Sequence, residues 1–587
     1  MRSQLRNLFF AVPLAVAVSV SAQDAGTAPS KKTTSSTSST SAAKAQKKSS
    51  DSEEERRSAS PQYTEPREDE SRSDALRLSL DEAIQTAVKQ NLGVDIQRYD
   101  FRMAGYSARS RYGIFDPVGF ADLSIASQQQ PVTSSIFSSK TDRNLFNVGV
   151  SENTPTGGSL SVAFNNSRQK SASTFTTVNP AYSSDIGLAF NQPLLRNFGV
   201  DVTRRGINIA RNNLGISQEA FRAVMMDTVL AVENAYYDLI FARENLEVKK
   251  QSRFLAGDQA RITQIRIDVG ASAPLDILQP RVAIATNEEQ VIAAFAAVRD
   301  AEDRLRQLMN LPVPEWSRPI LPNEQIGFTP MSVNVDDAVA RAMELRPEVR
   351  EVGLTKEIRR IQYMYARNQA RPKVDFNLNY GVAGLGGNRI VRDPITGQPT
   401  GIDRGGYGDA LSQISGFDFP SWTVGLNVGV PFSNIGARAE RKRAELDLQS
   451  KEVDEARVRQ NILVQVRKAA RDIDTLAKQI GATRAAREAA EKNVDAERKR
   501  YENGMTTNFN VLLIQQQLSD ARSLEISALA AYNQAIAGYH RAVGDLLDAR
   551  NITVEEPEHF DLPHGRYENV GWMSFDKPSE VKNSDDH

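Results

Sequence analysis

The sequence predicts a mostly α-helical protein that also carries short β-strands and is built from two internal repeats. Three observations lead there. Two very long helical patterns are each broken once by a short glycine-containing segment. The segments around these breaks recur in the same order in both halves, and short alternating segments stand between the helices.

Composition bounds the function. The chain has 587 residues, a formal net charge of -1 and no cysteine. A near-neutral balance gives no basis for nucleic acid as a partner, because backbone binding needs a strong basic bias. Without cysteine there are no disulfides, thiolate metal sites, cysteine nucleophiles or lipidated N-terminal cysteine. His559, His564 and His587 lie near the C-terminus and His540 stands alone in a helical pattern, so neither a metal site nor a cofactor is expected. Arg2 and Arg6, an apolar run from Leu8 to Val20 and small residues before Ala22 predict a signal peptide over 1–22. Residues 23–73 form a polar leader too poor in apolar residues to order itself. Periodicity ends near Asn551, leaving 551–587 as an irregular polar tail. No later stretch approaches the ~20 continuous apolar residues of a spanning helix, so any membrane crossing falls to strands.

The repeat organises the rest, with a first unit over 74–320 and a second over 321–550. "LSLDEAIQTAVKQN" matches "VNVDDAVARAMELR", placing Asp81, Ala83 and Ala87 on Asp336, Ala338 and Ala342. Pro117 then falls on Pro372, and "IGLAFNQPLLRNFG" on "VGLNVGVPFSNIG" with Pro193 against Pro431. Each unit opens with a helix, over 79–114 and 334–369, that Asp81 or Asp336 starts and Pro117 or Pro372 ends. Alternation follows, cleanest over Phe376–Tyr380 and Val424–Val430, with small and polar residues on one face. That pattern suits a barrel wall around water and equally a half-buried soluble sheet.

The long helices carry coiled-coil seams. Val232, Ala235, Leu239, Ala242 and Leu246 recur at alternating spacings of three and four, as do Ile462, Val466, Ala469, Ile473, Leu476 and Ile480. A helix of about 65 residues reaches roughly 100 Å, a length suited to rods. After "RIDVGASAPLDILQ" and "RYENGMTTNFNVLL" the chain returns as shorter helices, over 274–309 and 508–549, which the leading helices extend by stacking end to end. Gly270 and Gly504 supply the permissive backbone for reversal, and Asp276 and Asn510 start the return. Acidic pairs such as Asp81 with Glu82 and Asp336 with Asp337 sit at helix starts and recur with the repeat, and no GxxxxGK[ST] loop is present. No catalysis is expected.

These segments in this order, twice, resemble the TolC-type outer membrane efflux proteins over about residues 78–549. The resemblance implies a homotrimer whose β-barrel crosses the Gram-negative outer membrane and continues as a long periplasmic α-helical coiled-coil barrel. It implies a passive exit duct of a tripartite efflux pump or type I secretion system, opened by a periplasmic adaptor and energised by an inner membrane pump. The breaks become periplasmic tips, with Gly270, Ala271, Ser272, Asp276, Gly504, Met505, Thr506 and Asn510 as turn and adaptor-docking residues. Asp276, Asn510 and Leu513 fall where a constriction would form, and Pro117, Pro193, Pro372 and Pro431 at helix-to-barrel junctions. Relatives carry acidic residues at the second-repeat tip where this chain has Asn510 and Leu513, so closure by hydrogen bonds, apolar contacts and helix twist is expected. The family pattern gives four strands per chain. Here 143–168 adds a hairpin turning at Thr156, Gly157 and Gly158, which either enlarges the barrel or sits at its periplasmic rim, the rim being preferred. The glycine-rich stretch 383–417 is expected as an extracellular loop. The rival reading is an exported coiled-coil scaffold or stalk without a transport role.

Overall fold

The computed structural model describes residues 75–131, 139–173, 175–554, 560 and 562. The expected signal peptide, the leader and most of the tail lie outside the described residues. The first half runs β1 (Leu76–Leu78), α1 (Leu80–Gln90), α2 (Leu92–Ser110), β2 (Val118–Gln129), β3 (Lys140–Asn153), β4 (Ser159–Ser171), β5 (Val178–Pro193), α3 (Arg205–Asp268), α4 (Leu278–Met309) and β6 (Ile320–Pro322). The second runs α5 (Val335–Leu345), α6 (Pro347–Gln369), β7 (Lys373–Arg392), β8 (Pro399–Asp403), α7 (Tyr407–Gly416), β9 (Phe419–Gly429), α8 (Ile435–Glu502) and α9 (Asn508–Val543).

The helices α3 and α8 have 64 and 68 residues, or roughly 96 and 102 Å. Their seams are buried: Val232, Ala235 and Leu239 in α3, and Ile462, Val466, Ile473 and Ile480 in α8. Each anchors its own core. One gathers α1, α3 and α4 around Tyr236, Met226 and Leu305, and the other gathers α5, α8 and α9 around Tyr532, Val466 and Val543. No helix among the described residues is long and apolar enough to cross a membrane.

The leading helices differ from expectation, for both are broken. Asn91 is extended, and its Oδ1 accepts from the Gly93 N–H at 2.8 Å and the Val94 N–H at 3.3 Å, so one asparagine ends α1 and caps α2. In the second half Pro347 does the same work, because the residue before proline avoids the helical region and proline fits the first helical turn. The breaks receive the returning helices. Asn91 Nδ2 donates to the Leu308 carbonyl at 2.8 Å, and Asn310 Nδ2 donates to the Gln90 carbonyl at 3.1 Å. At the second break an Arg346 N–H donates to the Ala542 carbonyl at 3.4 Å. Beyond these points α2 continues against α3, and α6 runs between α3 and α8. Stacking therefore occurs through α2 and α6, not through the whole leading segments.

The large sheet is antiparallel in the order β2-β3-β4-β5-β7, with β9 along the near part of β7 and short β8 along its far part. This corrects the expected rim placement of the added hairpin. β3 pairs with β2 and β4 with β5 along nearly their whole lengths, so both are members of the wall. At 14 and 13 residues, both strands are long enough to pair along both edges. Only their turn lies at the helix end. Gly157 there has φ +94, and a Cβ on it would sit 2.3 Å from the Asn197 carbonyl. Among the described residues the chain thus contributes six long strands, not four.

The expected loop 383–417 is also corrected. Residues 383–392 extend β7 and 407–416 form α7, which lies flat on the sheet. Gly384 and Gly386 make this approach possible, since a Cβ on either would come within 2.0 Å of the Ala410 or Gly406 carbonyl. These glycines mark close packing, which composition alone cannot distinguish from a loop.

Candidate functional site

The sheet has two chemically different faces. On one, cross-strand partners form apolar rows such as Val150–Val162–Leu188–Tyr380–Trp422 and Ala121–Val148–Phe164–Ile186–Val382. On the other, Asp122–Asn147–Asn165–Asp185 and Ser151–Ser161–Ala189–Asn379–Thr423 line up. Large apolar side chains stay exposed on the first face, including Leu123 at 78%, Ile125 at 80% and Trp422 at 73%. An exposed apolar face backed by a polar one is the signature of a wall between lipid and water.

The four prolines mark where this wall meets the helices. Pro117 and Pro372 immediately precede β2 and β7, Pro193 ends β5, and Pro431 follows β9. Polar side chains tie the junctions together. The Asn197 N–H donates to Asn368 Oδ1 at 2.7 Å, Arg196 Nε donates to Gln369 Oε1 at 2.9 Å, and Asn434 Nδ2 donates to the Ala370 carbonyl at 2.9 Å.

At the opposite end lie the two hairpin turns, whose backbones match. Gly270 has φ +78, its N–H donates to the Ile267 carbonyl, and the Ala271 N–H donates to the Arg266 carbonyl. Gly504 has φ +72, its N–H donates to the Tyr501 carbonyl, and the Met505 N–H donates to the Arg500 carbonyl. Each is a Schellman termination, in which only the residue after the cap needs the left-handed conformation that glycine adopts freely. Asp276 reaches back to accept from the Ala273 N–H at 3.0 Å, while Asn510 Nδ2 donates to Thr506 Oγ1 at 3.1 Å. Thr506 Oγ1 in turn donates to Glu497 Oε1 at 2.5 Å. Ala271 is exposed and Ser272 half-buried. The tips present apolar side chains to solvent: Val269 at 72%, Leu275 at 74% and Met505 at 73% exposed. Asp276, Asn510 and Leu513 are exposed in the single chain, where they do not form a ring.

Just above the turns the two hairpins are fastened to each other. Arg266 donates through a guanidinium N–H to the Tyr501 carbonyl at 2.7 Å and lies 4.8 Å from the centre of the Tyr501 ring. The Tyr501 hydroxyl stands 3.3 Å from Thr263 Oγ1. Buried Asn508 accepts from Gln259 Nε2 at 2.7 Å and reaches the Asp276 carbonyl at 3.5 Å. Arg498 adds an ion pair to Asp258 at 3.2 Å. Sequence reasoning missed this lock. Its partners are more than 200 residues apart, and no local pattern joins them.

Comparison with known proteins accords with the architecture. A profile of the outer membrane efflux protein family matches residues 157–311 and 338–545, more than half of the chain. Outer membrane protein TolC of Vibrio cholerae is 20% identical over 361 residues, covering 60% of this chain and 76% of that protein. Among solved structures, the outer membrane protein VceC of Vibrio cholerae superposes with a TM-score of 0.57 at 14% identity, covering 79% of this chain and 96% of that one. The Campylobacter jejuni CmeC outer membrane channel gives a TM-score of 0.57 at 13% identity, over 80% and 86% of the two chains. Members of this family are channels of the Gram-negative outer membrane that extend into the periplasm. The chain belongs to the outer membrane efflux protein family and is an outer membrane exit duct.

Proposed function

We propose that the chain works as a homotrimeric, passive exit duct of a tripartite efflux pump or type I secretion system, opened at its periplasmic tips by an adaptor protein. An inner membrane pump supplies the energy, and the chain itself performs no reaction. One observation carries this reading: both helical hairpins end in the same exposed, apolar turn, directly below a hydrogen-bonded lock between hairpins. A turn that only reverses the chain has no need of exposed Val269, Leu275 and Met505, whereas a docking surface for coiled helices does. In the trimer, Asp276, Asn510 and Leu513 of three copies face one another as the narrowest ring, and Gly270, Ala271, Ser272, Gly504, Met505 and Thr506 form the docking rim. The lock holds this ring closed, and an adaptor that pries the hairpins apart opens it. Exposed strand edges and a lipid-type face are of no use to a stalk without a transport role.

Conductance of the purified protein in planar bilayers tests the reading. The wild type is expected to pass a small current. Arg266→Ala combined with Asn508→Ala, which removes most of the lock's hydrogen bonds without touching the barrel, raises it several-fold. Channels whose conductance the double variant leaves unchanged contradict the gate, and a protein that inserts no channel contradicts the duct. A photo-reactive residue at Met505 in living cells should capture a periplasmic protein anchored in the inner membrane, and one at Leu123 should not.

A further inference from the structure

The sheet ends in two long open edges. Among the described residues β2 pairs only with β3, and β9 only with β7. Both strands carry exposed apolar side chains on the sheet's lipid-type face, so their free edges lie where no water is available to satisfy backbone groups. We infer that β2 of one copy pairs with β9 of the next, closing an eighteen-stranded barrel from three copies with six long strands each. This rests on the trimeric duct proposed above and adds to it the seam and the size of the barrel.

Four features of the chain support the seam. β2 runs away from the helices and β9 runs toward them, so the two meet antiparallel like every other pair in the sheet. They match in length, at 12 and 11 residues. Their apolar sides, Leu123 with Ile125 and Trp422 with Val424, extend the same face. The two edges also differ from each other, so the contact is head-to-tail and generates a ring instead of a closed pair.

Width argues that β3 and β4 belong inside this ring. Next to the sheet the wall consists of α2, α3, α6 and α8 side by side. Four helices at 8–10 Å spacing occupy an arc of roughly 32–40 Å. Six strands at about 4.8 Å spacing and a tilt near 40° occupy roughly 38 Å, while four strands occupy only roughly 25 Å. Six strands therefore continue the helical wall without a taper. The hairpin's turn is built into the junction accordingly: Asn153 Nδ2 donates to the Ile114 carbonyl at 3.0 Å on one side, and the Gly199 N–H donates to the Thr156 carbonyl at 3.1 Å on the other. Adding strands in a pair keeps every neighbour antiparallel, so the family plan tolerates the insertion. The resulting barrel has a diameter of roughly 36 Å, against roughly 24 Å for twelve strands.

Cysteine pairing tests this in the full-length protein, which has no cysteine of its own. Leu123→Cys is combined in turn with Trp422→Cys, Val424→Cys and Leu426→Cys, and outer membranes are treated with a short thiol cross-linker. One of the three pairs is expected to give a ladder of covalent species ending at three copies. Deleting residues 131–172, which removes β3 and β4 together, is expected to narrow the imaged barrel from eighteen strands to twelve. Trimers in which none of the three pairs links overturn the inference, as does linkage within one chain between Leu123→Cys and Ser184→Cys, which would place β2 directly against β5. Either result leaves the duct standing. A protein that forms no closed sheet at all overturns both.

Discussion

The two halves of the chain use one plan with different materials. Both send a leading helix to the sheet, a long helix away from it and a shorter helix back, and both turn on a glycine of nearly identical φ. Among the described residues the first half places four long strands in the sheet, whereas the second places two, with a short strand and a flat-lying helix between them. Their cores diverge at matched positions. Thirty-two residues after Gly270 comes Glu302, and at the same distance from Gly504 comes Ile536; the corresponding partners are Arg306 and His540. Glu302 and Arg306 are each about 1% exposed and pair at 3.0 Å, with Glu302 also accepting from the Ile320 N–H at 3.1 Å. A repeat thus fixes backbone path more tightly than interior chemistry. Backbone reversal needs one conformation, while a helix interface accepts any well-packed, satisfied set of side chains.

The largest expected effect follows from that buried pair. Glu302→Ala removes one of the two carboxylates that pair with buried Arg306, Asp303 at 2.7 Å being the other, and should cost about 3 kcal/mol, seen as a lower unfolding midpoint of the detergent-extracted protein. The double change of Glu302→Ile, which installs the second half's residue, with Arg306→Met makes this contact apolar and should recover most of the loss. If the double variant is as unstable as the single one, the two halves are not interchangeable in this way.

Acid should act on the second half first. Burial works against ionisation of Glu348, but hydrogen bonds and charge from Arg346, with Arg541 behind them, overcome it and hold the carboxyl at about 2. An unfolded glutamate titrates near 4.3. The folded value is the lower one, so this cluster stabilises fully above about pH 5, and its contribution is lost as pH falls from there through about 2. The first half has Gly93 at the matching position. Unfolding midpoints recorded from pH 7 to pH 3 should fall less steeply in Glu348→Gln than in the wild type.

The tips should behave alike. Gly270→Ala and Gly504→Ala each force a side chain into the left-handed region, at a local cost of about 1–2 kcal/mol, read as faster hydrogen exchange in the adjacent helical turns. Unequal losses would show that the matching backbones are supported differently. The smallest effect belongs to the first half alone. Phe560 packs against Phe101 at 5.9 Å and Tyr106 at 5.3 Å, over Gly105, whose counterpart is Arg360. Phe560→Ala should cost about 0.5–1.5 kcal/mol and speed proteolysis after Val554.

Much of this architecture was legible in the sequence, for physical reasons. Seam residues such as Leu239 and Ile473 repeat at helical spacing because both faces of the contact are helices, and Gly270 and Gly504 stand out because few residues accept their φ. Placement in the sheet was not legible. Alternation in 143–168 reveals which side chains share a face but not which strands are neighbours, so it leaves both the wall and the rim open to β3 and β4. Asn91 escaped notice because one capping asparagine scarcely disturbs a helical period, although Pro347 was a readable stop. Arg266, Tyr501 and Asn508 were invisible for another reason: their roles exist only when hairpins distant in sequence lie side by side.

The central claim is that these helices and strands enclose a path across the outer membrane. Single-particle imaging of the mature protein, extracted from outer membranes in detergent, tests it most directly. The account predicts a threefold hollow body whose helical wall extends on the order of 100 Å from a detergent-belted barrel and narrows at the glycine turns. A solid coiled rod without a detergent belt would contradict it.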